Sequence, residues 1–488
     1  MNDRRHFTGL PEDCCNEKQP IAHCPRLAAW VRGCIADMLG REALYRRSPE
    51  WLQKVAVQAE GLRIHRYRYG GGFPHTLSQF RLRDDWTRHM VESLQLSELS
   101  RALQRASLTP FYSRLFQEMG ADWQDFASHD GMKALPITHK SDVAGDPTAF
   151  RVDGVIQPTS QARTSGTTGR ALSFPVTRQS VQTQWAVWWR HRLRHGIPFG
   201  TWHVLVSGRV VAPGPGTRSI ARLNHAGRQL IVDPRRLTPE SVSDVVKIIE
   251  QKRISWLHGY PSSLSKLSDA FQPHLNHLSS ITHVTTGAEA LTPNQRQHIN
   301  DTLAVVPVEH YGLAEGVANV SQCPLGVHHV DDDFSLVEFE PVSRHSSLSR
   351  IVGTSFSNDA FQLLRYDTGD LVTPTVSPCS CGLPGRTVSA IQGRNADFID
   401  LPDGRRIGPF NHMFKNLDFV TGAQVLSHPD GFFEVRVMSN SLLTAQQKAA
   451  IECEVSARAS QVNFRIVQVS GFQSTPSGKQ PMVVFPQR

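Results

Sequence analysis

The chain has 488 residues, more than one ordinary hydrophobic core accommodates, so we expect a large domain together with something smaller. Hydrophobic residues make up 39% and charged residues 20% of the sequence, which is typical of a globular protein and excludes a disordered or fibrous one. The formal net charge of +8 comes from arginines spread along the chain, so it does not predict a nucleic-acid-binding surface.

No apolar run approaches the length that crosses a bilayer, and the opening residues MNDRRHFTGLPEDCC lack the apolar segment of a secretory signal. We therefore predict no membrane span and a cytoplasmic location. The eight cysteines have no spacing that indicates a disulfide framework in so long a chain. The oligomeric state stays open.

The first elements along the chain are helical. Residues 1–85 show no clear pattern at their start, and we treat them as an N-terminal extension. Residues 86–128 carry apolar positions at helical spacing with charged residues between them, which predicts an N-terminal helical segment.

The central part of the chain alternates strand and helix signals. Between about 150 and 340, β-rich runs such as HVLVSG, ISWLHGY and ITHVTTG are separated by helical stretches such as ESVSDVVKIIEQK. This alternation predicts an α/β sheet.

Turn-rich sequence interrupts the alternation near residues 377–409 and leads into roughly ninety residues with strand and helix signals of their own. We place a domain boundary close to Arg394. The predicted organisation is an extension over 1–85, a large α/β domain over 86–393 and a small α/β domain over 394–488.

The run TSGTTGR at residues 164–170 is the most informative segment. Its glycines let backbone N–H groups turn toward an anion, and its hydroxyls can donate to phosphate oxygens. It is not a Walker A sequence, because no Gly-Lys-Ser/Thr follows at the required spacing. The segment predicts a polyphosphate cradle, although a surface loop rich in serine, threonine and glycine has the same composition.

TSGTTG is also the signature of the adenylate-forming superfamily of acyl-CoA synthetases, and four further motifs occur in the order of that family. They are YGLAE at 311–315, RYDTGD at 365–370, GRNAD at 393–397 and PSGK at 476–479. Within the superfamily, residues 95–485 most resemble phenylacetate-CoA ligases and CapK-like proteins, through HGYPSSL, TTGAEALT and LQRASLTPFYSRLF.

The resemblance implies a large N-terminal α/β domain and a small mobile C-terminal α/β domain, with the active site in the cleft between them. It implies an ATP-dependent, AMP-forming acid–thiol ligase that converts a carboxylic acid, aryl or otherwise hydrophobic, to an acyl-adenylate and then transfers the acyl group to CoA. One alternative is transfer to an amine, a hydroxyl or a carrier-protein thiol in capsule or natural-product biosynthesis. Another is a non-catalytic nucleotide-binding protein with the same fold.

The resemblance also assigns roles to residues. Lys479 matches the mobile lysine that contacts the carboxylate and the α-phosphate, and a cation there lowers the repulsion between two anions in the transition state. Glu315 matches the glutamate that helps to hold Mg²⁺, which requires oxygen ligands. Asp397 lies at the hinge of the small domain. The residues matched to ATP and AMP binding are Thr164, Ser165, Gly166, Thr167, Thr168, Gly169, Ala288, Glu289, Tyr311, Asp370 and Arg394. The residues expected to line the acid pocket are Trp256, His258, Tyr260 and Pro261.

A second constellation involves sulfur. Cys323 and His328 are followed about fifty residues later by Cys379 and Cys381, and three thiolates with one imidazole suit tetrahedral Zn²⁺. Some phenylacetate-CoA ligase relatives have a similar cluster. Four protein ligands leave no open position, so the zinc would be structural. His329 could replace His328, and unligated thiols are the alternative.

The run HHVDDD at 328–333 also fits the HHxxxD pattern of CoA-dependent acyltransferases, in which a histidine acts as general base. In that class a glycine normally follows the aspartate, whereas Phe334 follows here. No other feature of the class is present.

Overall fold

The computed structural model describes residues 45, 48–155, 159–164, 172–206, 219–234, 236–342, 347–375, 377–394, 399–400, 406–407, 417, 419–420, 422–428, 432–439, 441–458, 462–474 and 480–485. Within these ranges no helix is both long enough and apolar enough to cross a bilayer.

Among the described residues, helices dominate from residue 50 to residue 150, and strands follow and alternate with further helices. The α-helices are α1 (Glu50–Tyr69), α2 (Phe73–Leu82), α3 (Arg88–Ser107), α4 (Pro110–Met119), α5 (His129–Ala134), α6 (Lys140–Gly145), α7 (Arg178–Arg194), α8 (Pro239–Lys252), α9 (Pro261–Phe271), α10 (Pro293–Leu303) and α11 (Ala445–Arg458). Short 3₁₀ helices are Arg83–Asp85, Trp123–Phe126, Pro147–Phe150 and Gln272–His277.

The strands are β1 (Thr159–Arg163), β2 (Ser173–Thr177), β3 (His203–Val206), β4 (Ala221–Asn224), β5 (Gln229–Val232), β6 (Trp256–Gly259), β7 (His283–Gly287), β8 (Val308–Gly312), β9 (Asn319–Gln322), β10 (His328–Val330), β11 (Ser335–Pro341), β12 (Ser349–Ser355), β13 (Tyr366–Pro374), β14 (Thr387–Arg394), β15 (Ile399–Asp400), β16 (Arg406–Ile407), β17 (Gly422–Ser427), β18 (Phe433–Met438), β19 (Phe464–Gln468) and β20 (Val483–Val484).

One large sheet organises most of the chain. Its described strands are hydrogen-bonded in the order β11-β12-β13-β14-β10-β9-β8-β7-β6-β3-β5-β4. The strands β5, β3, β6, β7 and β8 run parallel, and β9 pairs antiparallel with β8. Parallel strands end at the same side of a sheet, where α/β proteins bind their ligands. We call the side where Gly259, Gly287 and Gly312 end β6, β7 and β8 the carboxyl edge.

The two faces of the parallel strands differ because side chains alternate along a strand. One face is apolar and packs on α8, α9 and α10. The buried side chains between them include Val204, Leu230, Leu257 and Val284 from the strands and Val245, Leu264 and Ile299 from the helices. Burial of these side chains is the main stabilising contribution at this layer.

The local sequence explains where the helices of this layer begin. Thr238 accepts a hydrogen bond from the backbone N–H of Ser241 at the start of α8, and Thr292 does the same for Gln295 at the start of α10. In both helices proline occupies the first helical position, where no N–H is needed.

A second, four-stranded sheet lies near the carboxyl terminus, in the order β19-β18-β17-β20. With α11 it encloses a separate core of apolar side chains, among them Val425, Val435, Val437, Ile451 and Val455. A large α/β unit and a small C-terminal one confirm the predicted fold class. The boundary near Arg394, which is the last residue of β14, stays a prediction.

The helices α1 and α2 pack on the large unit even though they precede residue 86. Arg222 of β4 is buried and donates to Gln53 Oε1 of α1 at 2.9 Å, and Phe73 and Phe80 of α2 share a cluster with Trp189 and Trp256. This part of the predicted extension therefore contributes to the core of the large unit.

Candidate active site

The strands β1 and β2 flank the predicted phosphate loop in the sequence. β1 and β2 pair antiparallel, and the Thr164 and Leu172 backbones close the hairpin through an N–H to carbonyl bond of 2.9 Å. The Thr164 hydroxyl also accepts from the Leu172 N–H at 3.0 Å, and Thr164 is buried. The predicted residues Ser165, Gly166, Thr167, Thr168 and Gly169 lie outside the described residues, as do the hinge Asp397 and the lysine Lys479.

Two predicted nucleotide residues meet although 59 positions separate them. The Tyr311 hydroxyl at the end of β8 donates to Asp370 Oδ2 of β13 at 2.8 Å. Burial, with the Asp370 carboxylate beside it, raises the pKa of Tyr311 well above its ordinary value, so the phenol stays a neutral donor. The register of β13 and β14 places Arg394 opposite Asp370. Three of the predicted positions therefore converge.

Glu315 lies just beyond β8 and is only 9% exposed. The Tyr366 hydroxyl lies 3.5 Å from Glu315 Oε1. A buried carboxylate close to the carboxyl edge has the oxygen chemistry that Mg²⁺ needs, so the residue present fits the predicted role.

Arg365 precedes this group in the RYDTGD motif but turns away from it. Its guanidinium donates to the carboxylates of Glu338 and Glu340 and, at 2.6 Å, to the Leu135 carbonyl. Its φ of 44° is left-handed, which side chains other than glycine rarely adopt. Arg365 therefore fixes the backbone that carries Tyr366 instead of flanking Asp370 with its side chain.

Ala288 and Glu289 follow β7 at the carboxyl edge. Ala288 has a left-handed φ of 66°. Glu289 Oε2 accepts from the Ser262 hydroxyl at 2.7 Å, and Glu289 Oε1 accepts from the backbone N–H of Gln480 at 3.1 Å. Gln480 is the residue after Lys479, so this bond joins the segment that carries the predicted lysine to the large unit.

The predicted acid-pocket residues run from the start of β6 into α9. Trp256 and His258 lie on the same face of the sheet, and both are held by Thr285 Oγ1, which accepts from Trp256 Nε1 and shares a bond with His258 Nδ1, each at 2.8 Å. Tyr260 caps α9 and Pro261 is its first residue. Trp256 is 1% exposed, so it forms the inner end of this row.

This face of the sheet is covered by α7 and is aromatic and polar. The ring centroids of Trp189 and Trp256 are 5.9 Å apart, those of Trp188 and His310 are 5.6 Å apart, and those of His203 and Trp256 are 4.2 Å apart. We call this group the tryptophan–histidine layer; it comprises Trp188, Trp189, Arg192, His203, Trp256, His258 and His310.

Burial keeps the histidines of the layer neutral. Desolvation, with the nearby Arg192 charge, lowers the pKa of His203 to about 3 and that of His258 well below its ordinary value. Desolvation also lowers the pKa of His310, to about 4. The sequence motifs do not include the residues that α7 contributes to the layer. These residues could have been found from the helical spacing of Trp185, Trp188, Trp189 and Arg192, which places them on one side of a helix.

A cavity of about 400 Å³ lies at the amino ends of β7 and β8. His195, His283, Thr285 and Val308 are among its lining residues. His283 and Val308 begin β7 and β8, so this cavity is at the side opposite the carboxyl edge and away from Tyr311 and Glu289.

The cysteine prediction needs one correction. The cluster contains Cys323, Cys379, Cys381 and His329, whose ligand atoms all lie within 4.8 Å of one another, and His329 takes the place predicted for His328. Neighbouring residues of β10 point to opposite faces, and His328 instead lies 3.6 Å from a Glu309 carboxylate oxygen.

The spacing of these atoms suits tetrahedral zinc. A Zn–S bond of about 2.3 Å gives an S···S separation of about 3.8 Å. The Cys323 and Cys379 sulfurs are 3.9 Å apart, and Cys381 Sγ lies 3.3 Å from His329 Nε2. His329 Nδ1 bonds to the Gly385 carbonyl at 3.1 Å, which directs Nε2 toward the sulfurs, as in metal-bound histidines.

The aspartates of the HHVDDD run are engaged in ion pairs. Arg190 binds Asp331 at 2.7 Å and Asp333 at 2.7 Å, and Asp332 is paired with Arg88 and Arg386, each at 2.6 Å. Burial opposes ionisation of Asp331 and Asp332, but the facing arginines hold the pKa of both below the ordinary value. These buried carboxylates neutralise the buried Arg190 and the half-buried Arg88 and Arg386, and they link α3 and α7 to the loop between β10 and β11.

The chain was compared with known proteins by sequence. No family model matches it. The phenylacetate-coenzyme A ligase of Thermus thermophilus is 26% identical over 329 residues, which are 64% of this chain and 72% of that ligase. Protein CapK of Staphylococcus aureus is 20% identical over 453 residues, which are 90% of this chain and 98% of CapK.

Solved structures give the same fold. The crystal structure of 2-hydroxyisobutyryl-CoA ligase in the postadenylation state, in complex with R3-HIB-AMP, aligns with a TM-score of 0.61 at 16% identity. The alignment covers 83% of this chain and 91% of the ligase. This likeness shows a shared architecture.

Proposed function

Because the chain belongs to the adenylate-forming superfamily, in its phenylacetate-CoA ligase and CapK-like branch, we propose that it is an AMP-forming ligase. In this proposal ATP and a carboxylic acid give an acyl-adenylate and pyrophosphate. Attack by the thiol of CoA then releases AMP and forms the thioester.

The observation that carries the proposal is the bond of 2.8 Å between Tyr311 and Asp370. The two residues come from separate motifs, and Arg394 of a third motif is the register partner of Asp370. An ionised carboxylate accepts hydrogen bonds only, which suits the two hydroxyls of a ribose. Convergence of these motifs at one place is what ATP binding requires.

Glu315 is the proposed protein ligand of Mg²⁺. Its carboxylate is buried beside the Tyr366 hydroxyl and offers the hard oxygen that this cation prefers. When bound, the cation supplies neutralisation of the triphosphate charge.

Lys479 is the proposed cation for adenylation, and Asp397 the proposed hinge. The next residue, Gln480, donates its backbone N–H to Glu289 at the carboxyl edge, which supports a place for the lysine close to the proposed nucleotide site. Rotation of the small unit about the hinge would then remove the lysine and admit the thiol for the second half-reaction.

The acid is proposed to enter along β6, past Tyr260 and His258, between the sheet and α7. The rings of Trp188, Trp256 and His310 offer flat apolar surfaces there, which suit an aryl or other hydrophobic group. The cysteine cluster is proposed to hold a structural zinc that ties the loop after β9 to the loop before β14.

The test of the function is ATP–pyrophosphate exchange across a panel of aryl and aliphatic acids. Acid-dependent exchange that disappears in Lys479→Ala is expected, and added CoA should give AMP and a thioester. Release of AMP only with an amine, a hydroxyl or a carrier protein would establish the alternative acceptor. Lack of exchange with every acid, although ATP binds, would favour a non-catalytic nucleotide-binding protein.

A further inference from the structure

Arg192 is a buried cation in the tryptophan–histidine layer. Only 7% of the surface of Arg192 is exposed. The guanidinium carbon lies 4.8 Å from the ring centroid of Trp189, 5.1 Å from that of Trp256 and 5.5 Å from that of Trp185. The aromatic faces attract the cation, but they bear no negative charge to balance it.

The Arg192 guanidinium lacks a counter-ion among the described residues. It has no ion pair and no side-chain hydrogen bond within that part of the chain, whereas Arg190, two positions earlier, binds two aspartates. The sequence of residues 207–218, which follows β3, contains no aspartate or glutamate. Burial lowers the pKa of Arg192 to about 10, in keeping with a desolvated charge. A buried charge without a counter-ion is costly to the fold, so its presence calls for a ligand.

A second donor lies beside the guanidinium. The indole nitrogen Nε1 of Trp189 is buried and has no hydrogen-bond partner among the described residues. An indole N–H can only donate. Arg192 and Trp189 thus present unused donors at one place, and the histidines around them are neutral and add no charge.

The distance between these donors and the carboxyl edge determines how long a ligand that reaches both must be. Arg192 stacks on Trp256 at the start of β6, and Tyr260 follows the end of that strand. Four residues of strand span about 13 Å. Trp256 and His258 share the face that leads between the two ends, so an acid lying along β6 would point its far end toward Arg192.

We propose that Arg192, together with the Trp189 indole N–H, binds a second anionic group of the acid substrate, so that the enzyme activates acids with a hydrophobic middle and a carboxylate at each end. This inference rests on the proposed function and names its substrate class. Arg192 is then a specificity-determining residue at the inner end of the acid pocket.

The experiment compares matched acids in ATP–pyrophosphate exchange. Each pair has the same carbon skeleton with one or two carboxylates, from short to long aliphatic acids and including 4-methylphenylacetate with 4-carboxyphenylacetate. The proteins are the native chain, Arg192→Met, Arg192→Lys and the control Arg68→Met. Arg68 stacks on Trp185 at 4.1 Å and is more exposed than Arg192, so the control removes a cation from the same aromatic group.

The native enzyme should prefer the diacid at one length by at least tenfold in kcat/KM. Arg192→Met should abolish or reverse that preference, Arg192→Lys should keep part of it, and Arg68→Met should leave it intact. Preference for monoacids at every length, or an unchanged ratio in Arg192→Met, would overturn the inference while leaving the ligase function in place. If none of the acids supported exchange, the result would contradict the proposed function, and this inference with it.

A second measurement does not depend on turnover. The preferred diacid should raise the unfolding temperature of the native protein and not that of Arg192→Met. Without ligand, Arg192→Met should be at least as stable as the native protein, because a buried uncompensated charge is replaced by an apolar chain of similar length. Marked destabilisation by Arg192→Met, with the diacid still raising the unfolding temperature of that variant as much as that of the native protein, would assign Arg192 to packing.

Discussion

Tyr311 and Asp370 show what a single pair of residues contributes to the proposed nucleotide site. The phenol donates to a carboxylate at 2.8 Å, and its raised pKa keeps the proton in place over the working range of pH. The bond fixes the direction of the carboxylate, as the proposed contact with the ribose requires.

Tyr311→Phe should therefore weaken ATP binding. A hydrogen bond to a charged group contributes about 1.5–3 kcal/mol, so we expect KM for ATP to rise about tenfold or more with a smaller change in kcat. The measurement is the ATP dependence of pyrophosphate exchange. Tyr112→Phe is the matched control, because its hydroxyl accepts from the Leu364 N–H inside the core and should affect unfolding temperature only. Equal KM values for Tyr311→Phe and the native enzyme would contradict the assigned role.

The cysteine cluster provides a second residue-scale prediction. His329→Gln should remove the bound zinc and lower the unfolding temperature, because it deletes a ligand, whereas the neighbouring His328→Gln should retain the metal. Metal analysis of both purified variants, with thermal unfolding before and after chelation, makes the comparison. Zinc retained in His329→Gln and lost in His328→Gln would restore the original assignment, and no zinc in the native protein would favour free thiols.

The choice between these histidines illustrates the limit of sequence reasoning. Spacing identifies three cysteines and a histidine pair, and it does so without a structure. Which histidine faces the sulfurs depends on the register of β10 against β9 and β14, and a shift of one residue exchanges the two faces. Long-range pairing sets that register.

At the scale of elements, strands and helices with strong periodicity were predictable. HVLVSG, ISWLHGY and ITHVTTG contain β3, β6 and β7, and ESVSDVVKIIEQK contains most of α8. The contents of the tryptophan–histidine layer were not, because α7 has buried polar and aromatic residues on several sides and gives little amphipathic contrast. The burial of these histidines could be recognised only from the packing of α7 on the strands.

This layer should make stability sensitive to acid. The unfolded chain takes up protons near the ordinary histidine pKa of 6.5, but the folded chain holds His310 neutral to about 4 and His203 to about 3. Stability is therefore greatest above pH 6.5 and falls as the pH is lowered toward 4. Each histidine contributes a slope of up to about 1.4 kcal/mol per pH unit.

Urea unfolding at pH 7.5, 6.5 and 5.5 measures that slope, because these values bracket the pKa of a histidine in the unfolded chain. The double variant His203→Gln/His310→Gln should show a shallower loss of free energy of unfolding on acidification. His75→Gln, at an exposed position, should behave as the native protein. Parallel pH profiles for all three proteins would show that the layer histidines do not carry the acid sensitivity.

For the whole molecule, the motifs predicted two α/β units but could not predict how they touch. Among the described residues, polar hydrogen bonds join them at two places. Asn294 Nδ2 of α10 donates to the carbonyls of Leu417 and Val420 at 3.3 and 3.2 Å, and Gln480 donates to Glu289. Single side-chain amides of this kind carry no sequence signature, and polar contacts suit the proposed movement of the small unit.

Asn294→Ala should therefore change the balance between the two half-reactions of the proposed ligase. Loss of both carbonyl contacts weakens the arrangement in which the Gln480 backbone N–H bonds to Glu289, so ATP–pyrophosphate exchange should fall severalfold. Thioester formation from synthetic acyl-adenylate and CoA should be unchanged or faster, since rotation away from that arrangement becomes easier. Gln297→Ala, at an exposed position of the same helix, is the control. A proportional fall in both half-reactions would mean that Asn294 supports folding and not the choice between domain positions; a selective fall in adenylation would mean that these contacts hold the protein ready for its first step.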